Sequence, residues 1–239
     1  MFLKGLLILF MKKYIRIGIV GLLVLSVALV ISQMNLFSPE SASKELNSKS
    51  KIGSGPYKTA IFAGGCFWSL ESYFEKAPVG IVKAVSGYSG GKSTGPTYQN
   101  YLEGGHREVV EVTYDPTWIT YGELVEYYFR HIDPTDATGS FYDRGIGYTS
   151  AIYYDDKEEK DLVEEIITLL ETEKIFKKPI VTLVLPRSEF WSAEEYHQDY
   201  AKNNSSSYTA YRIGSGRDAF LKKTWEGAAN PLYIKKVTL

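Results

Sequence analysis

The sequence contains little of what disulfide frameworks and metal centres are built from. Its 239 residues include one cysteine, Cys66, and three scattered histidines, His106, His131 and His197. A single cysteine excludes a disulfide within the chain, and the histidines have none of the paired spacings that bind zinc. Any redox chemistry at Cys66 therefore needs a thiol from outside this chain.

The chain also lacks an excess of charge of either sign. It carries 27 Lys and Arg against 28 Asp and Glu, a formal net charge of -1, and no basic cluster. This excludes the electrostatic surface that nucleic acids require, so we expect no nucleic-acid partner. With 44% hydrophobic and 23% charged residues, the composition is that of a globular protein with one main domain.

The N-terminal segment has the features of an export signal. Basic residues within 12–16 precede an uncharged apolar run at 17–31. The run is short for a spanning helix, which needs about 20 apolar residues, although about 17 can be enough. Since no clear small-x-small cleavage site follows, we expect 1–37 to be an uncleaved signal anchor, with a cleaved signal peptide as the alternative. The basic residues place everything after the run outside the cytoplasmic membrane; a translation start at Met11 stays open.

Composition divides the remainder into three parts. Residues 38–56 are rich in Ser, Lys, Glu and Gly, which is typical of a flexible linker. Residues 57–226 alternate between apolar periodic stretches and loops, and we expect them to form the folded domain. Residues 227–239 show no periodicity and are predicted to be a tail.

Apolar periodicity predicts strands and helices within the folded domain. The predicted strands are 58–63, 80–88, 107–114, 148–154 and 180–185, and the predicted helices are 66–76, 121–131, 157–172 and 193–202. Capping signals mark three helix starts, at Thr120-x-x-Glu123, Asp156 and Ser192-x-x-Glu195. The first six elements run strand-helix-strand-strand-helix-strand, the order of a ferredoxin-like unit. The sequence thus predicts an α+β two-layer sandwich, with helices packed on a mixed sheet.

The cysteine follows a predicted strand and two glycines. Cys66 would lie in the first turn of a helix, where unpaired N–H groups and the helix dipole favour an anion. Such settings lower a thiol pKa from about 8.5 to roughly 3.5–7.5. The preceding Gly64 and Gly65 would leave room for another molecule to reach the sulfur. The alternative is that Cys66 is a small buried hydrophobic residue.

Two long loops, 87–106 and 133–147, carry aromatic and charged residues between glycines. Loops of this length in a compact domain are usually functional or disordered. We expect them to be functional.

Nine short motifs lie in order along residues 58–225. They are GGCFW (64–68), GYSGG (87–91), PTY (96–98), GHREVV (105–110), YDP (114–116), HIDP (131–134), DRG (143–145), YTSA (148–151) and AEEYHQ (193–198). In combination and order they resemble the A-type peptide methionine sulfoxide reductases. The resemblance covers essentially the whole folded part, which it implies is the catalytic domain.

The resemblance implies that Cys66 attacks the sulfur of methionine-S-sulfoxide, free or in oxidised proteins, and yields methionine. It assigns Glu108 as the acid that protonates the sulfoxide oxygen, since a carboxyl kept neutral by an apolar pocket can donate a proton. It assigns Tyr98 and Tyr148 as the hydroxyls that hold the same oxygen.

The substrate pocket follows from the same resemblance. Phe67 and Trp68 match the aromatic pair that receives the substrate methyl group, and Asp143 matches a supporting substrate-binding residue. The family implies no metal and no organic cofactor, and we expect a monomer.

Attack would leave a sulfenic acid on Cys66, the first step of thiol oxidation. Many relatives resolve it with a second cysteine, which this chain lacks. An external thiol reductant, either a thioredoxin-like protein or a small thiol, must then restore Cys66.

Two other functions remain open on the residues alone. One is a cysteine hydrolase with His106 or His197 as base. The other is a membrane-tethered, non-catalytic module that binds exposed methionine-rich segments. Without the resemblance, Glu108 would read as a solvent-facing strand residue, His106 and His197 as structural or surface residues, and His131 as a cation at a helix C-terminus.

Overall fold

The computed structural model describes residues 56–77 and 79–228, and these belong to one compact unit. The predicted anchor at 1–37, and nearly all of the predicted linker and tail, lie outside the described residues. Within the described ranges, no helix combines the length and apolar character needed to cross a bilayer.

Helices and short strands account for most of the described chain. The helices are α1 (Phe67–Glu75), α2 (Tyr121–Phe129), α3 (Lys157–Thr172), α4 (Tyr200–Asn203), α5 (Ser205–Ser215) and α6 (Arg217–Trp225), with 3-10 turns at Ile146–Tyr148 and Glu195–His197. The strands are β1 (Lys58–Ala63), β2 (Ile81–Ser89), β3 (Arg107–Tyr114), β4 (Gly139–Ser140), β5 (Asp143–Arg144), β6 (Ala151–Tyr154), β7 (Leu183–Pro186) and β8 (Trp191–Ser192).

The main sheet has six strands in the order β7-β6-β1-β3-β2-β8. Strand β1 pairs antiparallel with both β3 and β6, β2 pairs antiparallel with β3 and β8, and β6 and β7 pair in parallel. Strands β6-β1-β3-β2 with α1 and α2 therefore form a ferredoxin-like unit in a mixed sheet. The predicted α+β fold is confirmed.

The sheet buries apolar side chains on both faces, and the helices cover one of them. Phe62 and Val110 pack with α1, α2 and α3 in the larger core, whereas Ile61 and Val109 belong to a smaller cluster on the other face. Because side chains alternate along a strand, Glu108 shares the helix-covered face with Val110. Phe62 pairs with Val110, so the chain just beyond β1 runs level with Glu108. This register brings the start of α1 to the Glu108 carboxyl.

The capping signals predicted the start of a helix correctly at two of the three positions. Thr120 and Glu123 form a reciprocal capping box, and the Asp156 side chain accepts the Glu159 N–H at 2.8 Å. The third was wrong, because Ser192 pairs with Gly87 in the sheet.

The predicted helix at 193–202 is also wrong. It is replaced by a 3-10 turn and by the four-residue α4, with Asp199 in the left-handed region at φ 51°. The Gln198 amide accepts the Ser86 N–H at 3.1 Å and donates to the Ser86 carbonyl at 3.0 Å. These bonds tie the segment to β2 and outweigh its helical pattern.

Gly65 adopts a conformation that other residues avoid. Its φ is +88°, and a Cβ added there would lie 2.6 Å from the Ser140 Cβ. The positive φ costs a non-glycine residue about 1–2 kcal/mol, and overpacking adds about 1–3 kcal/mol. We expect Gly65→Ala to lower the free energy of unfolding by about 2–5 kcal/mol in urea titrations.

Gly105→Ala is the matched control. Gly105 has φ +76° but nothing within 4 Å of an added Cβ. Gly105→Ala should lower the free energy of unfolding only by the cost of the positive φ, about 1–2 kcal/mol. An equal loss in both variants would contradict the close approach at Gly65.

Candidate active site

Cys66 lies between the end of β1 and the start of α1, as its N-cap residue. The side chain is buried, with 6% of the residue exposed. A Cβ on Gly64 would lie 2.6 Å from Ile132, and one on Gly65 would meet Ser140. The Cβ side of both glycines is therefore filled by the chain's own side chains.

The predicted low pKa of the thiol is wrong as well. Burial raises the pKa of Cys66 above its ordinary value, and the nearby carboxyls of Glu108 and Asp143 raise it further. The Trp68 N–H and the Tyr211 hydroxyl act in the opposite direction and lower the pKa of Cys66, but by less. A helix N-terminus stabilises an anion by about 0.3–1 kcal/mol, less than the several kcal/mol that burial costs an ion. The resting thiol is therefore neutral.

Glu108 lies on β3 beneath the first turn of α1, and only 2% of the residue is exposed. Its Oε2 accepts the Phe67 N–H at 3.0 Å, and its Oε1 accepts the Tyr101 hydroxyl at 3.2 Å. Burial raises the pKa of Glu108 to about 8, although both hydrogen bonds lower it. At neutral pH this carboxyl holds its proton and can act as an acid. The solvent-facing alternative is excluded.

The structure gathers the two predicted tyrosines around a third that the sequence did not single out. The Tyr148 hydroxyl lies close enough to that of Tyr101, which is buried, for the two to shift each other's pKa. Tyr98 is 40% exposed, its ring stacks on Tyr101 with centroids 6.0 Å apart, and its N–H donates to Glu194 Oε1 at 3.0 Å. Burial raises the pKa of both Tyr98 and Tyr148, so their hydroxyls stay protonated. They are available as hydrogen-bond donors.

Phe67 and Trp68 follow Cys66 in the first turn of α1, and of the two rings only that of Trp68 is partly exposed. Trp68 stacks on Tyr200, with centroids 3.7 Å apart, and its Nε1 donates to His197 Nδ1 at 3.1 Å. Phe67 is buried between His197 and Tyr88, at centroid distances of 4.9 and 5.9 Å. Contacts on two sides fix the Trp68 ring as one apolar wall of the site.

The histidines are structural. His197 is buried and accepts from Trp68, and burial lowers its pKa, so the ring is neutral. His106 is also buried; its Nδ1 accepts the Gly91 N–H at 3.2 Å, and its Nε2 lies 2.9 Å from the Ser93 carbonyl oxygen. Both rings are engaged in holding other residues, which gives the hydrolase alternative no support.

His131 was predicted to be a cation at the C-terminal end of α2, and this prediction is wrong. Burial lowers the pKa of His131 to about 4 and makes the ring neutral at pH 7.

Asp143 lies on β5, and its Oδ2 accepts the Tyr211 hydroxyl. Burial raises the pKa of Asp143, while the buried guanidinium of Arg217 acts in the opposite direction. Tyr211 and Arg217 come from α5 and α6, which the sequence did not predict, and no motif marks either. The structure thus brings all seven predicted site residues to one region and adds Tyr101, His197 and Tyr211.

The high thiol pKa can be tested by alkylation. We expect the iodoacetamide rate at Cys66 in the folded protein to rise only at alkaline pH, with a midpoint above the roughly 8.5 of an ordinary cysteine. The same chain unfolded in urea, where burial is lost, is the control and should titrate near that value. A native midpoint below about 7.5 would instead indicate a thiol activated by the helix terminus.

Comparison with known proteins agrees with this arrangement. Residues 58–229 match the family model described as peptide methionine sulfoxide reductase. The MsrA of Bacillus licheniformis is 48% identical over 168 residues, 70% of this chain and 92% of the relative. MsrA 2 of Rhizobium meliloti is 48% identical over 166 residues, 70% of this chain and 82% of the relative.

A longer relative matches over more of the chain. The MsrA/MsrB protein of Vibrio cholerae is 42% identical over 205 residues, 85% of this chain, but the match spans only 53% of that protein.

Solved structures show the same fold. Reduced Mxr1 of Saccharomyces cerevisiae has a TM-score of 0.59 at 29% identity, over 65% of this chain and 91% of that one. Methionine sulfoxide reductase A of Corynebacterium diphtheriae has a TM-score of 0.55 at 32% identity, over 64% of this chain and 78% of that one. On the family match and these relatives, the chain belongs to the A-type peptide methionine sulfoxide reductases, the oxidoreductases that reduce methionine-S-sulfoxide and so repair oxidised proteins.

Proposed function

We propose that this chain reduces methionine-S-sulfoxide through a sulfenic acid on Cys66, with Glu108 as the proton donor. The observation that carries the proposal is the pairing of a buried thiol with a buried carboxyl. The Glu108 charge raises the pKa of Cys66, so the two groups lie close together, and the pKa of Glu108 is itself raised to about 8. The site therefore holds a latent nucleophile beside an acid that is protonated at neutral pH.

The sulfoxide oxygen is placed between the Glu108 carboxyl and the hydroxyls of Tyr98 and Tyr148. The Cys66 thiolate attacks the substrate sulfur and forms an S–S bond, and the Glu108 proton passes to the oxygen as the S–O bond breaks. The hydroxide that is released attacks the Cys66 sulfur, and the S–S bond breaks with its electron pair going to the sulfur of methionine, so the oxygen ends on the Cys66 sulfur. That sulfur loses two electrons and the substrate sulfur gains two, and the proton that left the thiol balances the one that Glu108 donated.

The apolar walls of the site select the methyl end of the substrate. The fixed ring of Trp68 provides flat apolar surface next to Cys66, which suits a methyl group and excludes water, and the buried ring of Phe67 lies behind it at a centroid distance of 6.3 Å. Asp143 lies close enough to raise the pKa of Cys66, and we place it in a supporting role towards the rest of the substrate. Exclusion of water strengthens the hydrogen bonds to the sulfoxide oxygen.

Regeneration of the thiol requires a second molecule. The sequence has one cysteine, so the sulfenic acid is reduced directly or through a mixed disulfide with an external thiol. A thioredoxin-like protein or a small thiol can supply it. Since only 6% of Cys66 is exposed, we expect the reductant to approach the sulfur from the same side as the substrate.

We also propose that the catalytic domain works outside the cytoplasmic membrane, tethered by the apolar run at 17–31. Support comes from the basic residues before this run and the polar stretch at 38–56 after it. Carbonate extraction of membranes from cells that make the full chain should leave the protein in the pellet. Full release into the supernatant would contradict the anchor.

The reaction is tested by a single turnover without reductant. Full-length protein, solubilised in detergent and incubated with excess peptidyl methionine-S-sulfoxide, should yield about one methionine per chain and then a dimedone adduct at Cys66 on intact-mass analysis. The stoichiometry follows from the single thiol. Cys66→Ser should give neither product; methionine formed by Cys66→Ser, or an unmodified Cys66 in the wild type, would contradict the proposal.

A pair of glutamate variants tests the acid. Glu108→Gln keeps the size of the side chain but has no transferable proton, so we expect the single-turnover rate to fall by about 10²–10⁴. Glu111→Gln, on the same strand and ion-paired with Arg187 at 3.0 Å, should retain the wild-type rate. Equal rates in the two variants would remove Glu108 from the chemistry.

A further inference from the structure

An exposed apolar patch lies beside the tyrosines of the site. We define it by Leu102 and Ile146, of which 46% and 54% are exposed. Ile146 begins the 3-10 turn that ends at Tyr148, and Leu102 directly follows Tyr101. Neither takes part in the chemistry proposed above. Single exposed apolar residues are ordinary on a protein surface, whereas adjoining ones next to a site indicate a binding surface.

Gly147 allows the two parts of the patch to meet. A Cβ added to Gly147 would lie 2.4 Å from Leu102 Cδ2 and 2.9 Å from Tyr101 Cε2. Leu102 therefore packs directly on the backbone of the Ile146–Tyr148 turn, against the residue that follows Ile146. A side chain at position 147 would displace Leu102 from the turn.

The patch is continuous with the site through Tyr101. The Tyr101 hydroxyl donates to Glu108 at 3.2 Å, and its ring stacks on the half-exposed Tyr98 with centroids 6.0 Å apart. The far edge of the same ring, at Cε2, shares the Gly147 contact with Leu102. One buried ring thus separates the proposed proton donor from the exposed patch.

A polypeptide substrate has to cross the surface around the site, whereas free methionine sulfoxide does not. An extended chain advances about 3.3–3.6 Å per residue, so residues one or two positions from the oxidised methionine lie within about 7 Å of it. A side chain that covers Leu102 and Ile146 removes apolar surface from water on both partners if it is aliphatic. A polar side chain there would lose hydrogen bonds to water without a replacement.

We propose that Leu102 and Ile146 form a subsite for an aliphatic side chain one or two residues from the oxidised methionine. The favoured substrate is an extended segment in which methionine sulfoxide lies among apolar residues. Folded proteins bury such segments, so the subsite directs the enzyme to chains that have unfolded. This inference rests on the proposed function, because it requires the substrate sulfur to lie at Cys66.

The test uses two peptides that differ only in the neighbours of methionine-S-sulfoxide, which are leucines in one and serines in the other. Single-turnover rates of methionine formation are measured with detergent-solubilised full-length protein at subsaturating peptide. The peptide preference is the rate with the leucine peptide divided by the rate with the serine peptide. Free methionine-S-sulfoxide, which has no neighbouring residues, reports the chemistry alone.

The variants are Leu102→Ser, Ile146→Ser and their combination. Leu102→Met keeps an apolar side chain of similar size over Gly147 and is the conservative replacement. Trp118→Ser is the matched control: Trp118 is 52% exposed, but it follows the end of β3 that is farther from Glu108.

In the wild type we expect a peptide preference of about three- to tenfold, as for partial burial of one aliphatic side chain. Each serine variant should reduce the preference, and the combination should bring it to about one, because no apolar partner then remains. Leu102→Met and Trp118→Ser should keep the wild-type preference. If Leu102→Ser does not fold, Ile146→Ser decides the outcome.

A wild-type preference of one would overturn the subsite. A role in shaping the fold would slow all three substrates together and leave the preference intact in the serine variants, which would also overturn it. Slower multiple turnover with thioredoxin, at an unchanged single-turnover preference, would assign the patch to the reductant instead. If the wild type forms no methionine from any substrate, the proposed function itself fails.

Discussion

The active site depends on the burial of the Glu108 carboxyl under the first turn of α1. The alternation of β3 places this residue on the helix-covered face, and the Phe67 N–H anchors one of its oxygens at 3.0 Å. The Phe67 N–H binds the Glu108 carboxyl and is therefore not available to stabilise a charge at the N-terminus of α1. The same dry environment raises the pKa of Glu108 and of Cys66, so both are uncharged at rest. The enzyme keeps its acid protonated at neutral pH, and its nucleophile must be deprotonated during the reaction.

Stacked aromatic rings hold the side chains around Glu108 and Cys66 in place. Tyr101 donates to Glu108 and also stacks between Tyr88 and Tyr98, with centroid distances of 5.0 and 6.0 Å. Trp68 is fixed from the other side by Tyr200 and His197. Stacked rings lose little conformational entropy when substrate binds, and they exclude water from the reacting atoms.

Much of the fold could be predicted from the sequence because its signals are local. The strands β1 and β3, the helix α3 and the capping groups Thr120 and Asp156 follow from periodicity and short-range hydrogen bonds. What failed depends on contacts distant in the chain. The helical pattern at 193–202 is overridden by Gln198 binding to Ser86, 112 residues away.

The site divides in the same manner. The motif resemblance predicted seven site residues, which the structure brings to one region, but it could not show that burial would raise the thiol pKa. Tyr211 lies in a Ser-rich stretch with weak helix formers, and its partner Asp143 is 68 residues distant. Tyr101 is one of 19 tyrosines, with nothing local to distinguish it. Such residues become visible only when the sheet register and the C-terminal helices are in place.

The most direct test of the account is the titration of the Glu108 carboxyl itself. In protein labelled with ¹³C at glutamate side chains, the Glu108 signal is assigned as the one absent from Glu108→Gln, and its shift is followed from pH 4 to 10. We predict a midpoint at about 8, which leaves the acid protonated at neutral pH. A midpoint near the ordinary 4.5 would mean that the carboxyl is ionised when the reaction occurs, and the proposed proton donor would be wrong.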